Sequence, residues 1–292
     1  MSKLSAIKER AGSVEKIKKI TGALEVVAVT RLRRQQKNTL EARPYSEKIR
    51  ELMLDISRNV GNKAHPLFSA HERPENAVFI VASSDKGLCG GFNNMVVNKA
   101  QHLYEEKRDL RVKFVTIGKK GHDFLADKGR DIKDYIFGLS RDNEELTKDV
   151  YRISDELIKD FLNHKLDELY IIYNHFKMQL LGEARVEKLL PVTLESKKEG
   201  KQKNRIKRDY IFEPGTYEVF DALIREYLRN QVLHAVIESK TSEEMARMVA
   251  MKKATDSAAK LIEDLMLKFH KERQRSITNE LIDIINAVQR GE

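Results

Sequence analysis

The sequence predicts an α/β fold with long helices. An antiparallel coiled coil of the N- and C-terminal helices should stand beside a central α/β domain with a mostly parallel sheet. Three observations carry this expectation. From Thr216 to Arg290 there is no Gly or Pro, and from Met1 to Arg43 there is no Pro and only Gly12 and Gly22. Gly costs about 1 kcal/mol and Pro about 3 in a helix interior, so such runs permit long helices. Between these ends, apolar strand-like runs alternate with helical stretches. Finally, 34% of residues are charged and 7% aromatic, which suits a solvated coiled coil better than one thick globule. Two helices at opposite chain ends pair antiparallel only if the middle folds back, which predicts a rod with a knob.

At the N-terminus, Ile7, Ala11, Val14, Ile17, Thr21, Leu24 and Ala28 recur at spacings of three and four, a narrow helical seam. Ile20 and Val27 widen it, implying cover on more than one side. Basic residues follow at Arg31, Arg33, Arg34 and Lys37. A second periodic stretch, Ile49 to Val60, ends at Gly61-Asn62, so the first helical region is 1–62. Ala77 to Ala82 is a continuous apolar run, as in a buried parallel strand. A Gly-rich turn precedes a helix over about Asn94–Lys107, then a strand over Val112–Ile117 and a short helix over His122–Lys128. Next come a short strand over Ile132–Phe137, a helix over Leu146–Asn163 and a strand over Glu168–Tyr173. Leu189 to Val192 reads as an edge strand, since Pro191 offers no ladder donor. This alternation is the Rossmann-like α/β pattern, over residues 75–195. Residues 196–214 form a polar loop and foot, and 215–292 the C-terminal coiled-coil helices. Thr241 to Glu244 has capping-box spacing, which predicts a break near Lys240 and a fresh helix behind it. The stripe there is Met245, Met248, Thr255, Ala258, Ile262, Leu265 and Phe269, then Ile277, Leu281, Ile284 and Val288. Between its two parts, His270 to Ser276 holds no large apolar residue, and this collar reads as a place where the rod touches another protein.

The net charge of +9 is unevenly spread. Residues 1–50 hold 13 Lys/Arg against 5 Asp/Glu, while residues 241–292 hold 9 of each. A basic helix implies an acidic partner, whether nucleic acid, headgroups or a protein surface. The single Cys89 excludes an intramolecular disulfide and fits a reducing compartment. No apolar run approaches the ~20 residues of a membrane span, and no signal-peptide pattern opens the chain. The stretch Ser83 to Phe92 lies where a phosphate loop would, but matches neither the P-loop nor the dinucleotide fingerprint. Gly87, Gly90 and Gly91 there read as serving a tight turn and close helix–sheet packing. The eight His show no metal spacing, and nothing in the sequence supplies a base for Cys89. The expectation is no active site, no metal and no cofactor. Two rivals remain: a basic coiled-coil protein binding nucleic acid, and a nucleotide-dependent enzyme using the Gly-rich turn.

Four blocks in order resemble the gamma subunit of F-type ATP synthases. They are Lys19-Ile20-Thr21 with Glu25 to Ala28 and the Arg31–Arg34 cluster; Ser84 to Gly91; Met245 to Lys252 with Ala254-Thr255-Asp256; and Arg273-Gln274 with Ser276 to Leu281. The resemblance implies a non-catalytic rotor whose terminal helices lie inside a hexamer of alpha and beta subunits. The knob would contact the epsilon subunit and the c-subunit ring, with no membrane insertion of its own. Ion flow would turn the ring, and the shaft would drive the beta sites through their states. It implies beta-subunit contacts at Arg31, Arg33, Arg34, Arg273, Gln274 and Thr278, and c-ring or epsilon contacts at Tyr210, Phe212 and Glu213. It also implies a peripheral position on the cytoplasmic face of a bacterial inner membrane. Gly22 stands where the family usually has Lys, and Arg275 where it often has a small residue.

Overall fold

The structure, a computed structural model, describes residues 3–60, 65–138, 143–177, 180–193, 213 and 215–289. The chain divides into two compact units, one of Arg31–Ala246 and one of Met1–Thr30 with Arg247–Glu292. Helix α1 (Lys3–Val60) opens the chain and α5 (Thr216–Gln289) closes it. Among the described residues, no helix is long and apolar enough to cross a membrane.

The larger unit is built on one five-stranded sheet. Its strands are β1 (Asn76–Ala82), β2 (Arg111–Ile117), β3 (Ile132–Ile136), β4 (Glu168–Lys177) and β5 (Leu180–Leu190), in the order β3-β2-β1-β4-β5. The first four are mutually parallel, and β5 is antiparallel to β4. Helices α2 (Phe92–Glu106), α3 (Lys119–Asp127) and α4 (Asn143–Leu162) make the crossovers. Side chains alternate across a strand with period two, so each strand feeds two cores. Val78, Ile80 and Ala82 join the core built from α1, α4 and α5, where Met53, Phe161, Phe220 and Ile224 are fully buried. Ala77, Phe79 and Val81 join the core under α2 and α3, with Val96, Ala100 and Leu125. Cover on both faces explains why β1 reads as an unbroken apolar run.

Two sequence expectations change. The edge strand is Leu180–Leu190 rather than Leu189–Val192: it starts earlier and ends before Pro191, which lies outside it. Glu183, Arg185, Glu187 and Lys188 give it the look of a loop, while Ala184 and Val186 turn inward to the second core. The break near Lys240 does not occur, since α5 runs 74 residues without interruption. Thr241 Oγ1 donates back to the Ile237 carbonyl at 2.9 Å rather than capping a new helix. Its surroundings are buried, so continuing the helix satisfies backbone groups that a break would strand. Likewise α1 continues through Pro44, with Ile49, Met53 and Ile56 buried just beyond it. Burial in the core offsets the local penalty of Pro.

The smaller unit is the expected antiparallel pair. Ala11 and Val14 pack with Ala258 and Leu265, flanked by Ile7 and Ile262. Thr255 Oγ1 donates to Thr21 Oγ1 at 2.8 Å. Going up α1 from Val14 to Thr21 means going back along α5 from Ala258 to Thr255, the signature of opposed directions.

Candidate functional site

The Gly-rich turn is closed on itself. Ser84 N and Oγ both bond Asn93, and Asn93 Nδ2 donates to Cys89 Sγ at 3.4 Å. Cys89 is 1% exposed and packs with Phe92 and Ala246. Leu88 and Gly90 take positive φ of 63° and 59°, which sets the tight turn. The close packing assigned to the other glycines is corrected: nothing lies within 4 Å of where a Cβ would stand on Gly87 or Gly91. Close approach is found instead at Gly118 and Gly121, which both abut Ser83. A cleft of about 420 Å³ between α2 and β5 is lined by both charge signs, with His102 held 3.0 Å from Glu106. Among the described residues, no group of three or more His, Cys, Asp or Glu is arranged to hold a metal.

The predicted contact residues fall into two groups. Arg31, Arg33 and Arg34 occupy one turn of α1 in the larger unit, all exposed. Arg31 lies 3.7 Å from the carboxylate of Glu244, so it is partly engaged within the chain. Arg273, Gln274 and Thr278 lie on α5 in the smaller unit, exposed, with Thr278 Oγ1 bonded to the Gln274 carbonyl at 2.9 Å. Of the third set, Glu213 is exposed, while Tyr210 and Phe212 lie outside the described residues.

Sequence periodicity under-read the apolar surface of the smaller unit. Ile17, Ile20, Val26 and Val27 on α1 are exposed, as are Leu261, Leu267, Ile277, Leu281, Ile284 and Ile285 on α5. Among the described residues, the last buried seam residue on α5 is Leu265. Ile277, Leu281 and Ile284 then form a stripe at spacings of four and three with no described helix of this chain against it. Isolated exposed apolar residues are ordinary, but a contiguous set marks an interaction surface. The architecture is therefore that of a binding subunit, with paired helices presenting apolar and polar side chains outward.

Comparison with known proteins agrees. The family model for ATP synthase matches residues 3–289. The ATP synthase gamma chain of Fusobacterium nucleatum is 32% identical over 285 residues, covering 98% of each chain. That of Salinibacter ruber is 36% identical over 308 residues, covering 99% of this chain and 98% of its own. Among solved structures, the Euglena gracilis mitochondrial ATP synthase rotor aligns with TM-score 0.63 at 16% identity, over 94% of this chain and 98% of that one. The central stalk and c-ring structure of the Tetrahymena thermophila enzyme gives a chain with TM-score 0.59 at 21% identity, covering 80% and 99%. The chain belongs to the ATP synthase family, as a gamma chain. It is a non-catalytic subunit, the catalysis being in the beta subunits. The nucleic-acid and nucleotide-enzyme readings gain nothing from these matches.

Proposed function

We propose that this chain is the central rotor shaft of a bacterial F-type ATP synthase. It couples ion-driven rotation of the c-subunit ring to ATP synthesis or hydrolysis at the beta subunits. The observation that carries the reading is the incomplete burial of the smaller unit. Val26 is 66% exposed and Ile284 60%, on helices whose mutual seam covers one side only. Burying such side chains is worth about 25 cal/mol per Å², so a sleeve of other subunits stabilises what this chain leaves open. The hexamer of alpha and beta subunits is that sleeve. Arg31, Arg33 and Arg34 offer cations to acidic beta loops. Arg273, Gln274 and Thr278 interrupt the apolar stripe with a polar ring where a beta loop can hydrogen-bond. Tyr210, Phe212 and Glu213 serve as the foot on the c ring and beside epsilon. The complex places this chain on the cytoplasmic face of the inner membrane without insertion of its own.

Reconstitution tests the proposal. Purified alpha and beta subunits are mixed with and without this chain, and ATP hydrolysis and size are measured. One copy per hexamer with raised cooperative turnover is expected. Failure of the folded chain to join competent partners would overturn it.

A further inference from the structure

Helix α5 is gripped from several sides at one level, inside the larger unit. Six consecutive residues, Ser239 to Glu244, are all buried, and all six are polar or charged. Six residues exceed one full helical turn, so no face of the helix is left to solvent there. Four elements hold this stretch. Ser239 Oγ donates to the carbonyl of Ala82 at the end of β1, at 3.3 Å. His175 Nδ1 on β4 bonds the Glu238 carboxylate at 2.7 Å. Gly182 on β5 comes so near that a Cβ on it would stand 2.2 Å from Ser242 Oγ. Arg31 on α1 pairs with Glu244 at 3.7 Å. At about 100° per residue, Glu238, Ser242, Ser239 and Glu244 point to roughly 0°, 40°, 100° and 240° around the helix axis.

We infer that this polar collar is a rotational key, which fixes α5 against the α/β sheet so that torque is carried rather than lost by slipping about the helix axis. The inference rests on the rotor reading. Helices α1 and α5 are the described elements that run from one unit into the other, so torque between the units passes through them. An apolar collar would resist turning through interdigitated side chains alone; a polar one adds bonds whose strength depends on direction. Hydrogen bonds weaken steeply once bent, and a glycine-tight approach blocks rotation sterically. Anchors at separated azimuths resist turning in both senses. This also accounts for a polar sequence in the middle of a buried helix, which core packing alone would not select.

The test uses the complete complex, held by its hexamer, with a bead on the c ring and torque read from drag during ATP-driven rotation. The double variant Ser239→Ala with His175→Ala removes two anchors and touches none of the proposed beta or c-ring contacts. Unloaded hydrolysis is expected to stay within about two-fold of the unchanged chain, while the torque sustained under load falls at least about two-fold. Leu125→Ala, a cavity in the core under α3, is the control for general weakening and should keep its torque. Full torque in the double variant, or an equal loss in Leu125→Ala, would overturn the key. If the unchanged chain drives no rotation at all, the rotor reading itself has failed, which is a separate outcome. Should the double variant not fold, Ser239→Ala alone is judged by the same two outcomes.

Discussion

Thr21 and Thr255 meet hydroxyl to hydroxyl across the paired helices, at 2.8 Å. Thr21 in turn donates to the Lys18 carbonyl, and the single Thr255 proton is shared between Thr21 Oγ1 and the Met251 carbonyl 2.9 Å away. The pair fixes register in a seam otherwise made of small and aliphatic side chains. Thr255→Val keeps the shape and removes the hydroxyl, leaving Thr21 with an unmet acceptor. It should lower stability by about 1 kcal/mol, and the Thr21→Val, Thr255→Val double change should cost less than twice that. Urea unfolding of the purified chain measures both; strictly additive losses would show that the hydroxyls do not interact.

Gly22 lies in the interior of α1, with nothing within 4 Å of where a Cβ would stand and no positive φ. Gly22→Ala should raise stability by about 1 kcal/mol through helix propensity alone. Gly118 is the opposite case. Its φ is +94° and a Cβ would stand 2.0 Å from the Ser83 carbonyl oxygen. Gly118→Ala should destabilise by roughly 2–4 kcal/mol. Thermal melts of the two variants should therefore move in opposite directions.

Acid should loosen the larger unit. Burial pushes the Asp167 carboxyl up, but its bonds to His71 and to the backbone N–H groups of Glu75 and Asn76 outweigh that and hold it below the usual carboxylate range. Burial likewise raises Glu168, and Lys107, Lys188 and Tyr170 more than reverse it. For Asp221 the bond from Arg225 is the largest influence, and the net shift is again downward. A folded value below the unfolded one, about 4, means the contribution is complete above that pH and is lost as pH falls through the folded value. The urea midpoint should drop steeply below about pH 4. Asp167→Asn should flatten that slope, and an unchanged slope would remove Asp167 from the account.

Arg273→Ala with Gln274→Ala should reduce coupled ATP synthesis far more than it reduces stability, because both side chains are exposed and the helix keeps its good formers. Normal synthesis in a fully assembled complex would remove the collar from the set of contacts.

Cys89→Ser should leave rotation-coupled activity nearly intact. The thiol is buried and sits in the local Ser84–Asn93 network, which a hydroxyl can join. A bulky thiol reagent should label Cys89 only as the chain unfolds. Complete loss of activity in a soluble, assembled Cys89→Ser protein would point to chemistry that the packing does not suggest.

The long terminal helices, the succession of strands in a mostly parallel sheet and the family were all legible before any tertiary contact was known. Those features live in local signals: the absence of Gly and Pro, the 3.6-residue and continuous apolar patterns, and four short motifs in order. Packing settled the places where local signals point the wrong way or are silent. Thr241 to Glu244 spells a helix start, yet the segment lies mid-helix, because partners on the sheet and on α1 make burial of an unbroken backbone less costly than a break. Strand β5 offers only Ala184 and Val186 between charged residues, and what makes it a strand is its antiparallel pairing with the apolar run of β4, Leu169–Tyr173, which the β5 sequence alone does not record. The seam residues of α1 and α5 were legible one helix at a time. Which of them stay exposed was not. Exposure is set by what surrounds a side chain, and no single helix stripe records it.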